Sequence, residues 1–369
     1  SPLIVLGTLL VLLALPGMPK WPIAILILIA LASFLAMRTR RRAEEEQGLF
    51  DETAADESGP GVSRPPPPIE ILLGKDLGQQ WVSIKPLLAE RIASLRSQQE
   101  KASGFLIPSV LLQDGAHLGA FDYEIALHGA RHGVAQIYPD KLLAIRGSSD
   151  SAPLSGLETR DPAFGLPAIW IEADGADQAR EKGYTLVDSV TVLMTHLGEI
   201  VRNEAALLLT RADVVGLLEG VRSRQPGLIE ELIPAIMTVS DVQRVLQNLL
   251  SEEVPIRSID QIVEALVDVG RAVKEPGELT ELVRQRLSHG ICHHLRGANE
   301  QLSVLSLDPR VEGQIAESIR RAEGEKLILE PRMAEQLIRR LIPMVEAMIR
   351  QSLAPVLLCS PEIRRHLKT

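Results

Sequence analysis

The sequence predicts an α+β multidomain chain: N-terminal transmembrane helical segments, small mixed α/β subdomains, an all-helical subdomain and a C-terminal α/β subdomain. Three observations predict it. Residues 1–37 hold two uncharged apolar runs parted by one lysine, Lys20. From Ile69 short alternating runs bounded by turn residues read as strands, and from Asp188 the apolar period lengthens to that of helices. After Cys292 strand and helix patterns alternate again.

The apolar runs cover 1–19 and 21–37, and the second is just long enough to span a bilayer, which takes about 17–25 residues. Trp21 fits an interfacial anchor. Arg38, Arg40, Arg41 and Arg42 follow at once, so the positive-inside rule predicts a cytoplasmic location for everything downstream. A signal peptide carries its positive charges before the apolar run, which is the reverse of this order. The alternative is a buried hydrophobic hairpin. The chain opens on Ser1, which reads as a piece cut from a longer protein. Residues 1–42 are thus expected to be membrane segments with a basic cytoplasmic flank.

Residues 43–68 are acidic and then proline-rich, too poor in apolar side chains to offset ordering, and are expected to form a disordered tether. Its last four residues, PPPP at 65–68, favour polyproline II. Residues 69–187 are expected to form two interleaved small α/β subdomains. Ile69–Leu73 starts them as a strand. A helix opened by Ser83 and Pro86 follows, with Leu87, Leu88, Ile92 and Leu95 at helical spacing. Strand-like runs at 105–112, 119–127, 133–138 and 142–145 suggest a small mixed sheet. A shorter element follows as PAIWI at 167–171, a polar helix over Ala176–Glu181, and YTLV at 184–187.

Residues 188–290 are expected to be all-helical. Asp188 can cap a helix running to about Leu209 whose buried stripe is Val190, Leu193, Met194, Leu197, Ile200 and Val201. Further helices are predicted at 211–223, 228–236, 241–250, 259–272 and 279–289, with capping boxes at Ser240/Gln243 and Ser258/Gln261. Residues 291–369 read as a C-terminal α/β subdomain: strands at 302–307, 326–329 and 355–360, helices at 309–320 and 331–352, and a last helix begun by Ser360-Pro361. A closing strand is missing from that unit, which reads as a second truncation.

Composition excludes several functions. Aromatics make up 3% and the formal net charge is −9, so neither a stacking platform nor a positive surface for nucleic acid is expected. Cys292 and Cys359 are too far apart to suggest a disulfide framework and read as reduced thiols. Cys292-His293-His294 cannot close on one metal, because adjacent side chains on a helix or strand diverge. His196 reads as a satisfied, half-exposed histidine. Glu199 and Glu204 lie near it in sequence without a nucleophile. Neither GxxxxGK[ST] nor GxGxxG occurs, and Gly104, Gly115, Gly119 and Gly129 sit in hairpin contexts. Carboxylates read as solvated, none standing in an apolar run. No catalytic residue, metal or cofactor is expected, and the chain reads as not an enzyme. A membrane-bound hydrolase and a purely oligomeric scaffold are the rival readings.

The unusual stretch is GLETRDPAFGLPAIWI at 156–171. Asp161-Pro162 and Gly165-Leu166-Pro167 force turns around Phe164. A rigid loop presenting an aromatic suits a hydrophobic docking contact, and the other reading is a plug in the seam between the sheet and helical regions.

That stretch, with YTLVDSVTVLMTHLGEIVRNEAALLL at 184–209, VQRVLQNLLSEEVPIRSIDQIVEALVD at 242–268, ELTELVRQRLS at 278–288 and APVLLCSPEIRRHL at 354–367, resembles the large export-gate protein family of type III secretion systems. DPAFGLPAIWI favours its flagellar branch over the injectisome branch. The resemblance covers essentially the whole chain. It implies the last membrane segments of the gate plus most of its cytoplasmic part, at the bacterial inner membrane. It also implies a nonameric ring, with export chaperone–substrate complexes, other export-apparatus membrane proteins and the associated ATPase complex as partners. Carried over residue by residue, the family's chaperone-docking dimple falls on Asp161, Phe164 and Thr195, with Asp161 and Thr195 as its polar rim. The proline-rich run at 65–68 departs from the usual flagellar linker.

Overall fold

In the computed structural model, which describes residues 66–147, 153–296, 301–321 and 331–368, the chain divides into two compact units. The first comprises the described residues up to Glu100 together with Leu106–Asn203. The second comprises Lys101–Phe105 and the described residues from Glu204 onward.

The first unit starts with β1 (Ile69–Leu73), whose IEILL alternation buries Ile69, Ile71 and Leu73 on one face. Helix α1 (Lys75–Gln80), a 3-10 turn over Trp81–Ile84 and α2 (Lys85–Ser103) follow, contributing buried Leu77, Trp81, Leu88 and Ile92. Leu87 of the expected stripe is instead exposed. Strands β2 (Val110–Asp114), β3 (Asp122–Leu127) and β4 (Ala130–Gln136) complete a mixed sheet of order β2-β1-β3-β4. Only the β1–β2 pair is parallel, as expected where a helix supplies the crossover.

Strand β5 (Lys141–Arg146) leaves this sheet for a second one. There β6 (Leu157–Arg160), β7 (Pro167–Glu172), β5 and β8 (Tyr184–Asp188) lie in the order β6-β7-β5-β8, all antiparallel. Helix α3 (Ala176–Glu181) precedes β8, and Ala144, Ile169, Ile171, Ala179 and Tyr184 form the core of this layer. Residues 142–145, expected in the first sheet, thus pair in the second, and β6 is a strand the sequence does not announce. All four of its residues are exposed, so LETR carries no alternation to read.

Helix α4 (Ser189–Asn203) closes the unit. The Thr191 N–H donates to Asp188 Oδ1 at 3.0 Å, the cap expected of Asp188, and all six residues of the expected stripe are buried. The helix stops at Asn203 instead of continuing to Leu209, and α5 (Ala205–Leu208) starts the second unit.

The second unit continues through α6 (Arg211–Arg224), α7 (Pro226–Leu232), α8 (Val239–Ser251), α9 (Ile259–Val269), α10 (Pro276–Arg286) and α11 (Ser288–Arg296). The capping boxes lie elsewhere than expected. Thr210 with Asp213 starts α6, and Thr238 with Asp241 starts α8. Ser240 lies inside the helix and accepts from Arg211 Nη1, while the Ser258 side chain makes no cap. Sequence reading favours Ser-x-x-Gln, but Thr-x-x-Asp closes the same reciprocal ring with a charged acceptor. Thr238 N–H and Oγ1–H both donate to Asp241 Oδ2, and those bonds hold its carboxyl below the ordinary value of 3.8. Thr238→Ala is expected to cost about 1 kcal/mol in urea unfolding. Because the folded-state value is depressed, the Asp241 contribution is complete above the unfolded-state value and is lost as pH falls through the folded one. The gap between variant and parent should therefore narrow below about pH 4.

Beyond α11 come β9 (Leu305–Ser306), α12 (Pro309–Arg321), α13 (Pro331–Arg350), β10 (Leu357–Leu358) and α14 (Pro361–Lys368). The strands expected at 302–307 and 355–360 shrink to a two-residue parallel pair, and the one at 326–329 lies outside the described residues.

The expected membrane-spanning helices also need correction. Among the described residues no helix is long and apolar enough to cross a bilayer. The longest, α13, carries Glu335, Arg339, Arg340, Glu346 and Arg350, and α2 carries Glu90, Arg91, Arg96, Glu100 and Lys101. Such charges are incompatible with the hydrocarbon layer. The stretch 1–42 that suggested a membrane segment lies outside the described residues, as does 43–65 of the tether. Among the described residues the fold is thus one of mixed α/β and all-helical parts, with no helix able to cross a bilayer.

Candidate docking loop

The β6–β7 hairpin is closed by a short loop whose geometry follows from its sequence. Asp161 N–H donates to Leu166 O at 2.8 Å, and Gly165 N–H donates to Asp161 O at 2.8 Å. Gly165 sits at φ +68, the left-handed conformation that glycine adopts without strain. The Asp161 carboxylate turns back on its own loop and accepts the Phe164 N–H at Oδ2, 2.8 Å away, as Asx turns do. Arg160 Nη1 donates to Gly165 O at 2.9 Å.

The consequence is a division of labour within six residues. Asp161 is 4% exposed, whereas Phe164 is 57% exposed and Leu166, two residues on, is exposed as well. Phe164 is therefore not a buried plug. Asp161 lies beneath the loop, where its charge shapes the turn, instead of lining its surface.

Thr195 sits on α4, half-buried, its hydroxyl donating to Thr191 O at 2.8 Å. Thr191 donates to Asp188 Oδ2 at 2.6 Å and accepts from Arg91 Nη1 at 3.1 Å. The next residue, His196, is 7% exposed, which corrects the half-exposed expectation. Its Nδ1 lies 2.7 Å from the Tyr123 hydroxyl on β3. Asp161 acts on both groups. Burial first and the Asp161 charge second push the Tyr123 phenol up, while burial pushes His196 down and Asp161 opposes that. Asp161 and Phe164 thus share one loop, whereas Thr195 sits apart from it in sequence on α4, bonded to Thr191. Tyr123 and His196 are 73 residues apart, and no periodicity in the sequence announces their pairing.

Elsewhere the side chains that could carry chemistry are spread out. Among the described residues no three His, Cys, Asp or Glu side chains are grouped to hold a metal ion. Cys292 is exposed on α11, and burial pushes the Cys359 thiol up, away from the reactive thiolate. Glu199 is paired with Arg202 at 2.5 Å. Two carboxylates do stand in apolar runs, contrary to expectation. Burial pushes the Glu70 carboxyl up within IEILL, and buried Glu124 accepts from Arg131 Nε at 2.8 Å, with His117 Nε2 at 3.3 Å.

The comparisons with known proteins agree with this fold. The family model described as the FHIPEP family matches residues 1–369. The flagellar biosynthesis protein FlhA of Bacillus subtilis is 31% identical over 360 residues, 94% of this chain and 53% of that protein. The chain thus spans about half the length of the flagellar relatives it matches. Among solved structures, the Chlamydia pneumoniae CdsV protein superposes with TM-score 0.67 at 22% identity, covering 85% of this chain and 91% of that one. The nonameric EPEC SctV-C gives TM-score 0.63 at 19% identity over 84% of this chain and 91% of that one. These two share the arrangement of mixed α/β and helical parts. The match along all 369 residues, together with the identity to full-length flagellar relatives, establishes that the chain belongs to the FHIPEP family.

Proposed function

We propose that this chain is the cytosolic, ring-forming part of a type III protein export gate at the bacterial inner membrane, and that Phe164 on the Asp161–Leu166 loop is a docking contact for export chaperone–substrate complexes. The observation that carries the docking reading is an aromatic ring left 57% exposed by a loop that a buried carboxylate holds in shape. Exposed aromatics on rigid supports are what binding hot spots are made from, because little conformational entropy is lost on contact. Thr195, half-buried on α4, offers a polar edge to the same contact.

Two features of the relatives support the wider reading. The Bacillus subtilis and Salmonella typhimurium relatives, at 31% and 32% identity, are flagellar biosynthesis proteins, which favours the flagellar branch. A structural neighbour is nonameric, and a ring would place many copies of the loop side by side. Weak sites linked in that way gain avidity without a tight single contact. Other export-apparatus membrane proteins and the associated ATPase complex would then be neighbours of the ring.

Phe164→Ala tests the docking contact. The side chain is exposed, so the fold should survive, and calorimetric titration with an export chaperone–substrate complex should show affinity at least about tenfold lower, the loss typical of a hot-spot residue. Unchanged affinity in a folded variant rejects the site.

A further inference from the structure

Strand β6 ends its sheet, paired with β7 on one side and, among the described residues, with no strand on the other. The loop it enters fixes which of its backbone groups are engaged. Asp161 N–H donates to Leu166 O, so these two residues form a hydrogen-bonded pair of the hairpin. Bonded and non-bonded pairs alternate along an antiparallel ladder. The register sets Leu157 against Trp170, Glu158 against Ile169, Thr159 against Ala168 and Arg160 against Pro167. The next bonded pairs are therefore those of Thr159 and Leu157. Pro167, which has no N–H to give, falls on a non-bonded position, as this phase requires. The backbone N–H and C=O groups of Glu158 and Arg160 then point away from β7 to the open edge, and no described backbone group meets them there.

The other strands at sheet ends in the first unit are less open. In β4 the register shifts opposite Ile125 and Ala126 and leaves His132 unmatched, a bulge of the kind that bends an edge out of further pairing. Strands β2 and β8 carry buried and half-buried side chains, whereas all four residues of β6 are exposed. The strand also lies flush on β7, because a Cβ at Gly156 would come within 2.4 Å of Trp170 O. One sign of charge along an edge repels an added strand, but β6 carries one of each, Glu158 and Arg160. Arg160 is moreover drawn back onto its own loop, where Nη1 donates to Gly165 O at 2.9 Å.

We propose that the outer edge of β6 is a strand-addition site, on which an extended, unfolded segment of the exported substrate pairs with Glu158 and Arg160 as a fifth strand of the sheet; this rests on the docking reading above and names the part of the complex that meets the hairpin. Open backbone donors and acceptors are matched by a segment whose own are open. Helices and the interiors of folded sheets have already paired theirs, so a chaperone binding as a folded body has few to offer. A substrate segment without secondary structure carries them at every residue except proline, and main-chain bonds hold it with little regard to sequence. In an antiparallel addition Glu158 and Arg160 each exchange two hydrogen bonds with the segment. Directly across, a basic side chain suits Glu158, an acidic one suits Arg160 and an apolar one covers the exposed Leu157.

Backbone amide exchange of the whole chain, read by NMR and corrected for intrinsic chemistry, tests the site. In the chain alone the Glu158 and Arg160 amides should exchange about tenfold faster than that of Thr159, the effect of one hydrogen bond. The opposite alternation overturns the assignment. Bound export chaperone–substrate complex should slow the Arg160 amide about tenfold, and the chaperone without substrate should leave it unchanged. No slowing in the bound complex overturns the proposal. So does slowing by the chaperone alone, or by raising the concentration of this chain alone, since the occupant is then the chaperone or a second copy. Glu158→Pro removes an outward N–H and spares the bonds to β7, so calorimetry should show affinity for the complex about tenfold lower. Glu158→Ala keeps that N–H and should stay within about twofold of the parent. Parent-like affinity in a folded Glu158→Pro rejects the site. Should that variant lose the hairpin, seen as lost protection at Thr159, the parent's exchange measurement decides. A binding defect in Phe164→Ala with the parent's Arg160 amide unprotected in the complex sinks strand addition alone. Protection of Arg160 without that defect sinks the Phe164 contact alone.

Discussion

Arg364→Ala is expected to lower stability by about 2–4 kcal/mol in urea or thermal unfolding, the range for breaking a buried or partly buried ion pair from one side. Arg364 on α14 donates through Nη2 to both carboxylate oxygens of Glu252, at 3.0 and 2.8 Å, and through Nε to Glu281 at 2.7 Å. Arg284 joins from α10, 3.0 Å from the same Glu252. The four side chains are between 15 and 21% exposed, so water screens them weakly. Burial works against the Arg364 charge, and the bonds and charges of Glu252 and Glu281 outweigh it and raise its pKa. Without Arg364, two largely buried carboxylates face one guanidinium, and α14 loses its tie to Glu252 at the C-terminal end of α8, 112 residues away in sequence. Arg364→Lys keeps the charge but cannot fork across Glu252 and Glu281, so it should recover only part of the loss. A deficit under about 1 kcal/mol in the alanine variant, with α14 amides still protected, would show that the cluster does not hold this helix.

This cluster also marks the boundary of what the sequence makes legible. Periodicity is a local signal, and where burial on one face decides structure it succeeds. IEILL is β1 at the expected residues, and the six-residue stripe of α4 is buried as expected. It fails where the determinant is distant or faceless. LETR is fully exposed, so β6 exists because β7 offers it a ladder, not because its own side chains alternate. The strand at 142–145 reads correctly as a strand, yet its sheet is chosen by pairing with β7 and β8 farther along the chain. Glu252 with Arg364 and Tyr123 with His196 are contacts across 112 and 73 residues that no window contains. The candidate docking loop is legible in part. Asp161-Pro162 and Gly165-Leu166-Pro167 announce a rigid turn that presents Phe164, but the sequence does not say that Asp161 faces inward. That depends on one hydrogen bond, from the Phe164 amide to its carboxylate.

Asp161→Ala is accordingly expected to act on the loop more than on the global fold, and to weaken docking further than any polar-rim role would allow. The substitution removes the acceptor of the Phe164 N–H and leaves that amide without its charge-assisted bond, a local loss of about 1.5–3 kcal/mol. It also takes away the carboxylate whose charge reaches Tyr123 and His196. With the turn frayed, Phe164 samples many orientations, and ordering it again on contact should lower chaperone–substrate affinity about tenfold or more, as conformational selection from a less populated state requires. Asp161→Asn separates the two contributions. Its amide oxygen can still accept the Phe164 N–H, so the loop and much of the affinity should return, while the charge felt by His196 does not. Removing that charge lets burial act on the ring unopposed, so the histidine's pKa should fall further below 6.5, as a two-dimensional NMR titration of its ring carbons would show. Equal affinity for parent and Asp161→Ala, with the Phe164 amide still protected, would mean that the turn is held by its backbone bonds and that the buried carboxylate plays no part in presenting the aromatic ring.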